Sequence, residues 1–279
     1  MDQNTLESRL ADLNLPAIRY LPTTGSTNDE ASKWIATGAV DRCLVIADEQ
    51  TAGRGRGDHR WTTYPGTGLA FSLILFPIHL GPNVVPRRTS IGALAVRDAL
   101  LKTYGLNTQI KWPNDVLLDR KKVAGILAEN YWVGEDLKAV ILGFGINVAP
   151  GSINIDPSHQ RGFSFPATCV EDGLGRPVDR IELLHAVLEA FFAWRPRLPS
   201  PEFLREWEAS LAFRGEWVQI TPGDSFGKDG LPVSLEQAPR PLEEGKVLGL
   251  APDGSLRLLT RKGETVTVQF GEVRLRPQS

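Results

Sequence analysis

The chain has 279 residues, with 31 Lys and Arg against 33 Asp and Glu, so its formal net charge is −2 at pH 7. A hydrophobic fraction of 42% and a charged fraction of 23% are typical of a globular protein with a large core, and they exclude intrinsic disorder as its main state. The near-neutral balance also argues against a protein that acts mainly on nucleic acid, because affinity for phosphate comes chiefly from excess Lys and Arg.

Cysteine usage and the apolar runs indicate the compartment. The two cysteines, Cys43 and Cys169, stand far apart, which argues against a disulfide framework and against a cysteine-based zinc site. The N-terminus is acidic, without an apolar run behind a basic region, and the longest apolar stretches are too short to span a bilayer. We therefore expect a cytoplasmic protein with no signal sequence and no membrane contact.

The first part of the chain predicts helices and strands in alternation. A helix over 3–13 is followed by a strand and by a second helix, which begins at Ser26–Asn28 and ends at Gly38. Periodicity then predicts two strands and a third helix, at 43–50, 69–76 and 89–104. Between those two strands lies TAGRGRGDHRWTTYPGTG, an unusually long loop of the kind that carries function.

The middle of the chain predicts consecutive strands. QIKWPNDVLLDRKKVAGILAENYW contains two strand-like runs around a charged turn, and LKAVILGFGINV is a third. This order favours an α+β fold with a central mixed or antiparallel sheet and flanking helices over a doubly wound fold. A loop is expected over 150–178, then a helix capped by Asp179 and Glu182 and closed by Pro196, and a last helix over 201–211.

After Phe213 the pattern changes to short β-rich runs separated by turn signals, among them Asp253-Gly254 and Lys262-Gly263. The sequence therefore predicts two domains, a main body at 1–212 and a small β-barrel-like domain at 213–279.

Four motifs could carry chemistry, and each also has a plain structural explanation. The glycines and arginines of GRGRG (53–57) suit an anion, although a solvated or RNA-contacting loop has similar composition. KWPND (111–115) is a polar turn, and KKVAGIL (121–127) sends lysines either into a site or out of the sheet. GFGIN (143–147) ends an apolar strand with glycines that indicate close ligand approach or a bulge.

Together with TGSTN (24–28) and DEQTA (48–52), these motifs resemble the biotin protein ligases, in that family's order and spacing. The resemblance covers about the first 150 residues, and the C-terminal β module, with GEVRLR, is similar to the family's small domain. It implies a class II synthetase-like biotin/lipoate ligase catalytic domain over 1–212 and an SH3-like barrel over 213–279. It also implies an enzyme that joins biotin to ATP, releases pyrophosphate, and passes biotin to a lysine of a biotin carboxyl carrier protein.

The resemblance implies roles for individual residues. The implied biotin-binding set is Ser26, Thr27, Asn28, Gln50, Gly53, Arg54, Gly55, Arg56, Lys122 and Gly125. The implied ATP-binding set is Arg54, Arg56, Trp61, Lys111, Asn114, Lys122 and Asn147. Lys122 is expected to bridge the biotin carboxylate and the α-phosphate, and Lys122, Asp115 and Arg56 form the implied catalytic set.

Some of these roles stay open at this point. Helix capping and strand-end solvation would also explain TGSTN, and a core aromatic would explain Trp61. Mg²⁺ is the expected cofactor, bridging phosphate oxygens, and Asp115 either contacts it or orients the incoming lysine amine.

The chain departs from the family after Arg56, where a Gly and a basic residue usually precede the tryptophan and this chain has GDHRW over 57–61. The loop thereby gains an acid, Asp58. We expect the loop to be mobile when empty and to fold over the adenylate, which shields the mixed anhydride from water.

Several alternatives concern the partner. A lipoate or octanoate ligase and a biotin-binding regulator without catalysis are the rival functions, and both are disfavoured by the motif set. Some family members are also repressors, but only 23 residues precede Thr24, too few for a helix-turn-helix domain, so no DNA partner is expected. A homodimer is expected from the sheet edges.

Overall fold

The computed structural model describes residues 1–56, 59–76, 85–153, 166–221, 244–269 and 272–275. Its α-helices are α1 (Gln3–Arg9), α2 (Thr27–Ala36), α3 (Val85–Tyr104), α4 (Val170–Leu174), α5 (Arg180–Trp194) and α6 (Pro201–Ala209). Short 3-10 turns lie at Ala11–Leu13, Pro150–Ile153 and Arg195–Arg197.

The strands form two sheets. The main-body strands are β1 (Ile18–Thr24), β2 (Leu44–Arg54), β3 (Arg60–Thr63), β4 (Gly68–Leu75), β5 (Thr108–Lys111), β6 (Asp115–Leu118), β7 (Lys121–Val133) and β8 (Asp136–Asn147). The C-terminal strands are β9 (Trp217–Thr221), β10 (Gly245–Leu250), β11 (Leu256–Leu259), β12 (Thr265–Val268) and β13 (Glu272–Leu275).

The main sheet is mixed. Its order is β1-β2-β4-β8-β7-β6-β5, with β3 paired to β2 beside this path. Strands β1 and β2 run parallel, and the other neighbours run antiparallel. This arrangement confirms the predicted α+β fold with flanking helices.

The centre of this sheet is covered on both faces. Along β2, Leu44 and Ile46 pack into the large core that contains α3 and α5, whereas Val45 packs with Ala31 and Trp34 of α2. Because successive side chains of a strand point to opposite faces, α2 covers one face of the sheet and α3 with α5 covers the other. The side chains discussed below lie on the α2 face.

The C-terminal strands form a separate antiparallel sheet with the order β12-β11-β10-β9-β13. This sheet confirms the predicted small β domain and fits an SH3-like module. Its β10–β11 turn contacts the main body, where Trp112 donates its indole N–H to the carbonyl of Gly254 at 3.0 Å. The division at 212 and 213 stays a prediction.

The structure corrects the prediction over 109–132, which contains three strands rather than two. Lys111 ends β5, Asp115 begins β6, and the two residues are register partners across a tight turn that contains a cis Trp112–Pro113 peptide bond. KWPND therefore forms the turn of the β5–β6 hairpin, and the predicted charged turn is the next one, between β6 and β7.

The predicted loop after Gln50 is also shorter than expected. Strand β2 continues to Arg54 and pairs with β3, with Gly53 opposite Trp61 and Arg54 opposite Arg60. Glycine and arginine lack the β-branched signal of a strand, but the ladder hydrogen bonds hold them in one.

The segment over 150–178, expected to be loop, contains a 3-10 turn and α4, while residues 154–165 lie outside the described residues. Of the capping box predicted for the next helix, the Asp179 half is confirmed, since Asp179 accepts hydrogen bonds from the backbone N–H groups of Ile181 at 2.8 Å and Glu182 at 3.2 Å. The Glu182 carboxylate instead accepts from the Tyr104 hydroxyl at 3.4 Å.

Both cysteines are buried and unpaired with each other. Burial raises the pKa of the Cys169 thiol to about 11, as expected for an unreactive core cysteine. Across the part of the chain that the structure describes, every helix is too short or too polar to cross a membrane.

Candidate active site

A buried polar cluster connects the start of α2 with the neighbouring strands. The Gln50 side-chain oxygen accepts from the backbone N–H of Thr27 at 2.9 Å and from its hydroxyl at 3.1 Å. The Ser72 hydroxyl lies 2.7 Å from the Thr27 hydroxyl and 2.6 Å from Oδ1 of Asn28. Thr27, Asn28, Gln50 and Ser72 are each less than 10% exposed. We call these four residues the polar cluster.

Helix capping does not explain the TGSTN motif. Ser26 is the N-cap of α2, yet its side chain makes no capping hydrogen bond, and the Thr27 N–H is bound by Gln50 from another strand. If this motif served only to cap α2, the side chain of Ser26 would accept a hydrogen bond from a backbone N–H of the first turn. The polar side chains instead face the sheet.

Arg54 and Glu129 extend the polar cluster toward the glycine- and arginine-rich turn. Arg54 donates from Nε and Nη2 to the two carboxylate oxygens of Glu129, at 3.1 and 2.9 Å, and from Nη1 to Asp29 at 2.6 Å. Glu129 also accepts from Nδ2 of Asn28 at 2.6 Å. Both hydrogen bonds raise the pKa of Arg54, and the one to Glu129 contributes more than the one to Asp29.

The remaining loop residues lie in the turn between β2 and β3. Gly53 pairs opposite Trp61, and the Gly55 N–H donates to the His59 carbonyl at 2.7 Å. The backbone carbonyl of Arg56 accepts from the His59 N–H at 3.3 Å. Asp58, the acid by which the loop departs from the family pattern, lies outside the described residues.

A second cluster, which we call the charged cluster, joins two lysines to one carboxylate. Asp115 lies 2.7 Å from the ammonium of Lys122 through Oδ1 and 3.1 Å from that of Lys111 through Oδ2. Asp115 and Lys111 are buried, while the Lys122 side chain keeps 26% exposure.

The electrostatics of the charged cluster keep Asp115 ionised. Burial acts to raise the pKa of Asp115, but the positive charges of Lys122 and Lys111 outweigh it and leave the pKa well below its usual range. One carboxylate between two ammonium groups leaves the charged cluster with a net positive charge. Lys122 is the member of the cluster that reaches solvent.

Trp61 connects the two clusters. Its carbonyl lies 3.5 Å from the side-chain nitrogen of Gln50, and the Lys122 ammonium lies 5.5 Å from the centre of its ring. The ring rests on two paired strand positions, Gly125 and Gly145. A Cβ on Gly145 would overlap the ring, and one on Gly125 would lie 3.3 Å from it.

The same geometry explains the glycines of GFGIN. Gly145 makes room for Trp61, and a Cβ on Gly143 would overlap Oδ1 of Asn28. The β7–β8 register runs without interruption through both positions. Close approach of side chains, not a bulge, therefore accounts for these glycines.

Asn114 and Asn147 make hydrogen bonds to the backbone. Asn114 Nδ2 donates to the carbonyl of Ile126 at 2.9 Å, and Asn147 Nδ2 donates to that of Thr168 at 3.1 Å. Asn114 thus ties the β5–β6 turn to β7, and Asn147 ties the end of β8 to the segment before α4.

The described residues do not form a magnesium site of their own. Mg²⁺ prefers carboxylate oxygens and water, but both oxygens of Asp115 already face lysine ammonium groups. Within the described ranges there is no group of three His, Cys, Asp or Glu side chains that could hold a metal. A direct Mg²⁺ contact at Asp115 does not fit this arrangement.

These contacts thus connect the polar cluster, Trp61 and the charged cluster with one another. The structure adds Glu129 and Ser72, which sequence reasoning missed. The sequence signal for Glu129 is a charged residue directly after the apolar run VAGILA of β7, and Ser72 is a polar residue inside LAFSLILF.

Comparisons with known proteins show what this chain is similar to. The model of the "Biotin/lipoate A/B protein ligase family" matches residues 20–147. A biotin–[acetyl-CoA-carboxylase] ligase of Paracoccus denitrificans is 37% identical over 210 residues, which cover 73% of this chain and 84% of that protein. The bifunctional ligase/repressor BirA of Bacillus subtilis is 34% identical over 178 residues, 62% of this chain and 51% of that protein.

The chain therefore spans about half the length of the Bacillus relatives that it matches. Among solved structures, a biotin protein ligase from Aquifex aeolicus in complex with biotin and ATP has a TM-score of 0.74 and 27% identity. That alignment covers 94% of this chain and all of the other.

Proposed function

This chain belongs to the biotin protein ligases, within the biotin/lipoate A/B protein ligase family, and on that premise we propose that it is an ATP-dependent ligase for biotin. In the first half-reaction a biotin carboxylate oxygen attacks the α-phosphorus of ATP, and pyrophosphate leaves. In the second, a lysine amine attacks the carbonyl carbon of biotinyl-5′-adenylate, loses a proton, and AMP leaves.

The observation that carries the proposal is the charged cluster next to the polar cluster. Attack of a carboxylate on a phosphate brings two anions together, so catalysis depends on positioning and on positive charge at the point of contact. Lys122 supplies that charge from the exposed side of the cluster, and Asp115 holds the lysine in place. Lys122 is accordingly the residue that bridges the biotin carboxylate and the α-phosphate.

The polar cluster suits the ureido ring of biotin, which offers N–H donors and a carbonyl acceptor. Thr27, Asn28 and Gln50 supply hydroxyl and amide groups that are already oriented by one another, and Ser26 is buried beside them. Such preorganised groups bind a polar ring without paying for rearrangement. Arg54 and Arg56, carried by Gly53 and Gly55, close the turn over the ligand, and Gly125 leaves room beside Lys122.

The nucleotide is assigned to the side of Trp61. Its indole gives a flat apolar surface for adenine. Lys111 adds a second positive charge on the Oδ2 side of Asp115. Because the Nδ2 groups of Asn114 and Asn147 are bound to backbone carbonyls, contacts of these residues with nucleotide use their Oδ1 atoms. Mg²⁺ would come with the phosphates of ATP, because the residues that the structure describes supply no set of three ligands for it.

The acceptor is a biotin carboxyl carrier protein of acetyl-CoA carboxylase or a related enzyme, by analogy with the Paracoccus relative. A cytoplasmic location, a homodimer and the lack of a DNA partner stay predictions from the sequence.

Transfer to a carrier tests the whole proposal. The protein is incubated with biotin, ATP, Mg²⁺ and a purified carrier domain, and the carrier is examined by intact-mass spectrometry. We expect one biotinyl adduct on one lysine, dependent on ATP and lost in Lys122→Ala. Modification by lipoate or octanoate in place of biotin, or tight biotin binding without any adduct, would support the two rival functions instead.

A further inference from the structure

Glu129 is the one carboxylate in the described part of the site that contacts both the polar cluster and the base of the arginine-bearing turn. Its Oε2 accepts from Asn28 at 2.6 Å and from Arg54 at 2.9 Å, and its Oε1 accepts from Arg54 at 3.1 Å. It lies on β7, four positions after Gly125. No family motif named above includes it.

The contact with Asn28 determines which way that amide points. Asn28 Oδ1 lies against Ser72 at 2.6 Å, and Nδ2 donates to Glu129, so the two ends of the amide cannot exchange. A carboxylate accepts hydrogen bonds and does not donate them. Glu129 therefore fixes Asn28 with its oxygen toward the centre of the polar cluster.

The contact with Arg54 is a two-point pairing at the end of β2. Two parallel N–H···O bonds between a guanidinium and a carboxylate give geometric specificity as well as energy. Arg54 is also the last residue of its strand before Gly55 and Arg56. Its position determines where the turn leaves the sheet.

We propose that Glu129 is a positioning residue that couples the biotin pocket to the turn above it. It holds Asn28 and Arg54 in one arrangement, so that loss of its charge loosens the pocket and the turn together. The inference rests on the proposed biotin ligase function, because it assigns Asn28 and Arg54 to the biotin pocket.

The test compares Glu129→Gln with the wild-type protein in biotin-dependent exchange of pyrophosphate into ATP. Glutamine keeps the size of the side chain but removes the negative charge that faces Arg54. Its amide can also donate, so it no longer fixes the orientation of the Asn28 amide. We expect the KM for biotin to rise about tenfold or more, since hydrogen bonds to charged groups are lost. The KM for ATP should rise by less than that for biotin, because among the described contacts Glu129 reaches the implied ATP-binding set only through Arg54 and has none with Lys111, Asp115 or Lys122.

A second measurement separates positioning from general weakening. If Glu129 acts through Arg54, the biotin KM of Arg54→Gln combined with Glu129→Gln rises by less than the product of the two single effects. Glu129→Asp, which keeps the charge on a shorter side chain, should recover part of the loss and serves if the glutamine variant folds poorly.

Asp41 offers a matched control outside the site. Its carboxylate also binds an arginine at two points, Arg195 at 2.8 Å each, and accepts a third hydrogen bond from the Phe76 N–H at 2.9 Å. Asp41→Asn should lower the unfolding temperature and leave the biotin KM unchanged.

Two results would overturn the inference while the ligase function stands: an unchanged biotin KM in Glu129→Gln, or losses that multiply in the double variant. Absence of biotin-dependent exchange in the wild-type protein would instead remove the function on which the inference rests.

Discussion

Asp115 combines burial with two positive neighbours, and its role follows from that balance. A carboxylate whose pKa is lowered by Lys122 and Lys111 is a weak base, so it is unsuited to take a proton from an acceptor lysine. Its two oxygens instead fix the positions of the two ammonium groups. We therefore assign Asp115 to orientation of the lysines and to charge balance.

Replacing Asp115 by Asn should destabilise the protein at neutral pH by about 3 kcal/mol, because it leaves two lysines facing each other without a counter-charge. The carboxylate's pKa is lowered on folding, so its stabilisation is complete above the ordinary carboxyl pKa of 3.8 and is lost as pH falls through the lower folded value. Urea unfolding of the wild-type protein and Asp115→Asn over a pH series should show a difference in the free energy of unfolding that narrows below about pH 4. A difference that stays constant to low pH would contradict the account.

Gly145 tests the position of Trp61. A methyl group on Gly145 would overlap the ring, so Gly145→Ala should displace Trp61 and raise the KM for ATP about tenfold. Gly245→Ala is the control, because its added Cβ would lie 2.8 Å from that of Leu258 in the other sheet. Steady-state kinetics should show the KM change in the first variant alone, and equal KM values in both would argue against Trp61 as the adenine platform.

At the scale of elements, two hairpins carry most of the site. The β5–β6 hairpin brings Lys111 and Asp115 together as register partners, and the β2–β3 hairpin carries Arg54, Arg56 and Trp61. Hairpins fix side-chain register through backbone hydrogen bonds, whereas a long loop would have to order all its residues on binding. The β2–β3 pairing thereby fixes Arg54 and Trp61 in register before any ligand binds.

Arg56→Gly should let biotinyl-adenylate escape, because the turn would lose a cation over the mixed anhydride. The released intermediate can be measured by rapid filtration after a single turnover, and we expect its release to be several times faster than from the wild-type protein. Arg60→Gly, on β3 of the same hairpin, is the control for the loss of an arginine as such. Undiminished retention by Arg56→Gly would contradict the assignment.

The sequence predicted much of this arrangement, and the failures have physical causes. Motifs placed Lys122, Asp115 and Thr27 in the predicted site because residue type and spacing are local properties of the sequence, and the roles of these residues stay predictions. Glu129 was missed because its partners, Asn28 and Arg54, lie 101 and 75 residues away in sequence. The β2–β3 pairing was missed because glycine and arginine carry no strand preference and the ladder is made by tertiary context.

At the scale of the whole molecule, the C-terminal sheet contacts the main body beside the charged cluster. Trp112, buried within KWPND, donates to the Gly254 carbonyl of the β10–β11 turn. Glu208 of α6 accepts from the Leu250 N–H at 2.7 Å, and Arg120 pairs at two points with Glu216, before β9. The C-terminal sheet thus supports the hairpin that carries Lys111 and Asp115.

Trp112→Phe should lower the kcat of adenylate formation about fivefold to tenfold, because a buried carbonyl loses its donor and the hairpin loosens. Trp207→Phe is a matched control, since the indole N–H of Trp207 is buried without a hydrogen-bond partner among the described residues. Both variants keep an aromatic ring in the core. Equal effects on kcat would mean that the C-terminal sheet only covers the core.

Biotin-dependent exchange of labelled pyrophosphate into ATP tests whether this site activates biotin on ATP. Lipoate and octanoate are run beside biotin, with Lys122→Ala as the control variant. The account predicts exchange with biotin alone and its loss in the variant. Exchange supported by lipoate or octanoate instead of biotin, or exchange undiminished by Lys122→Ala, would contradict it.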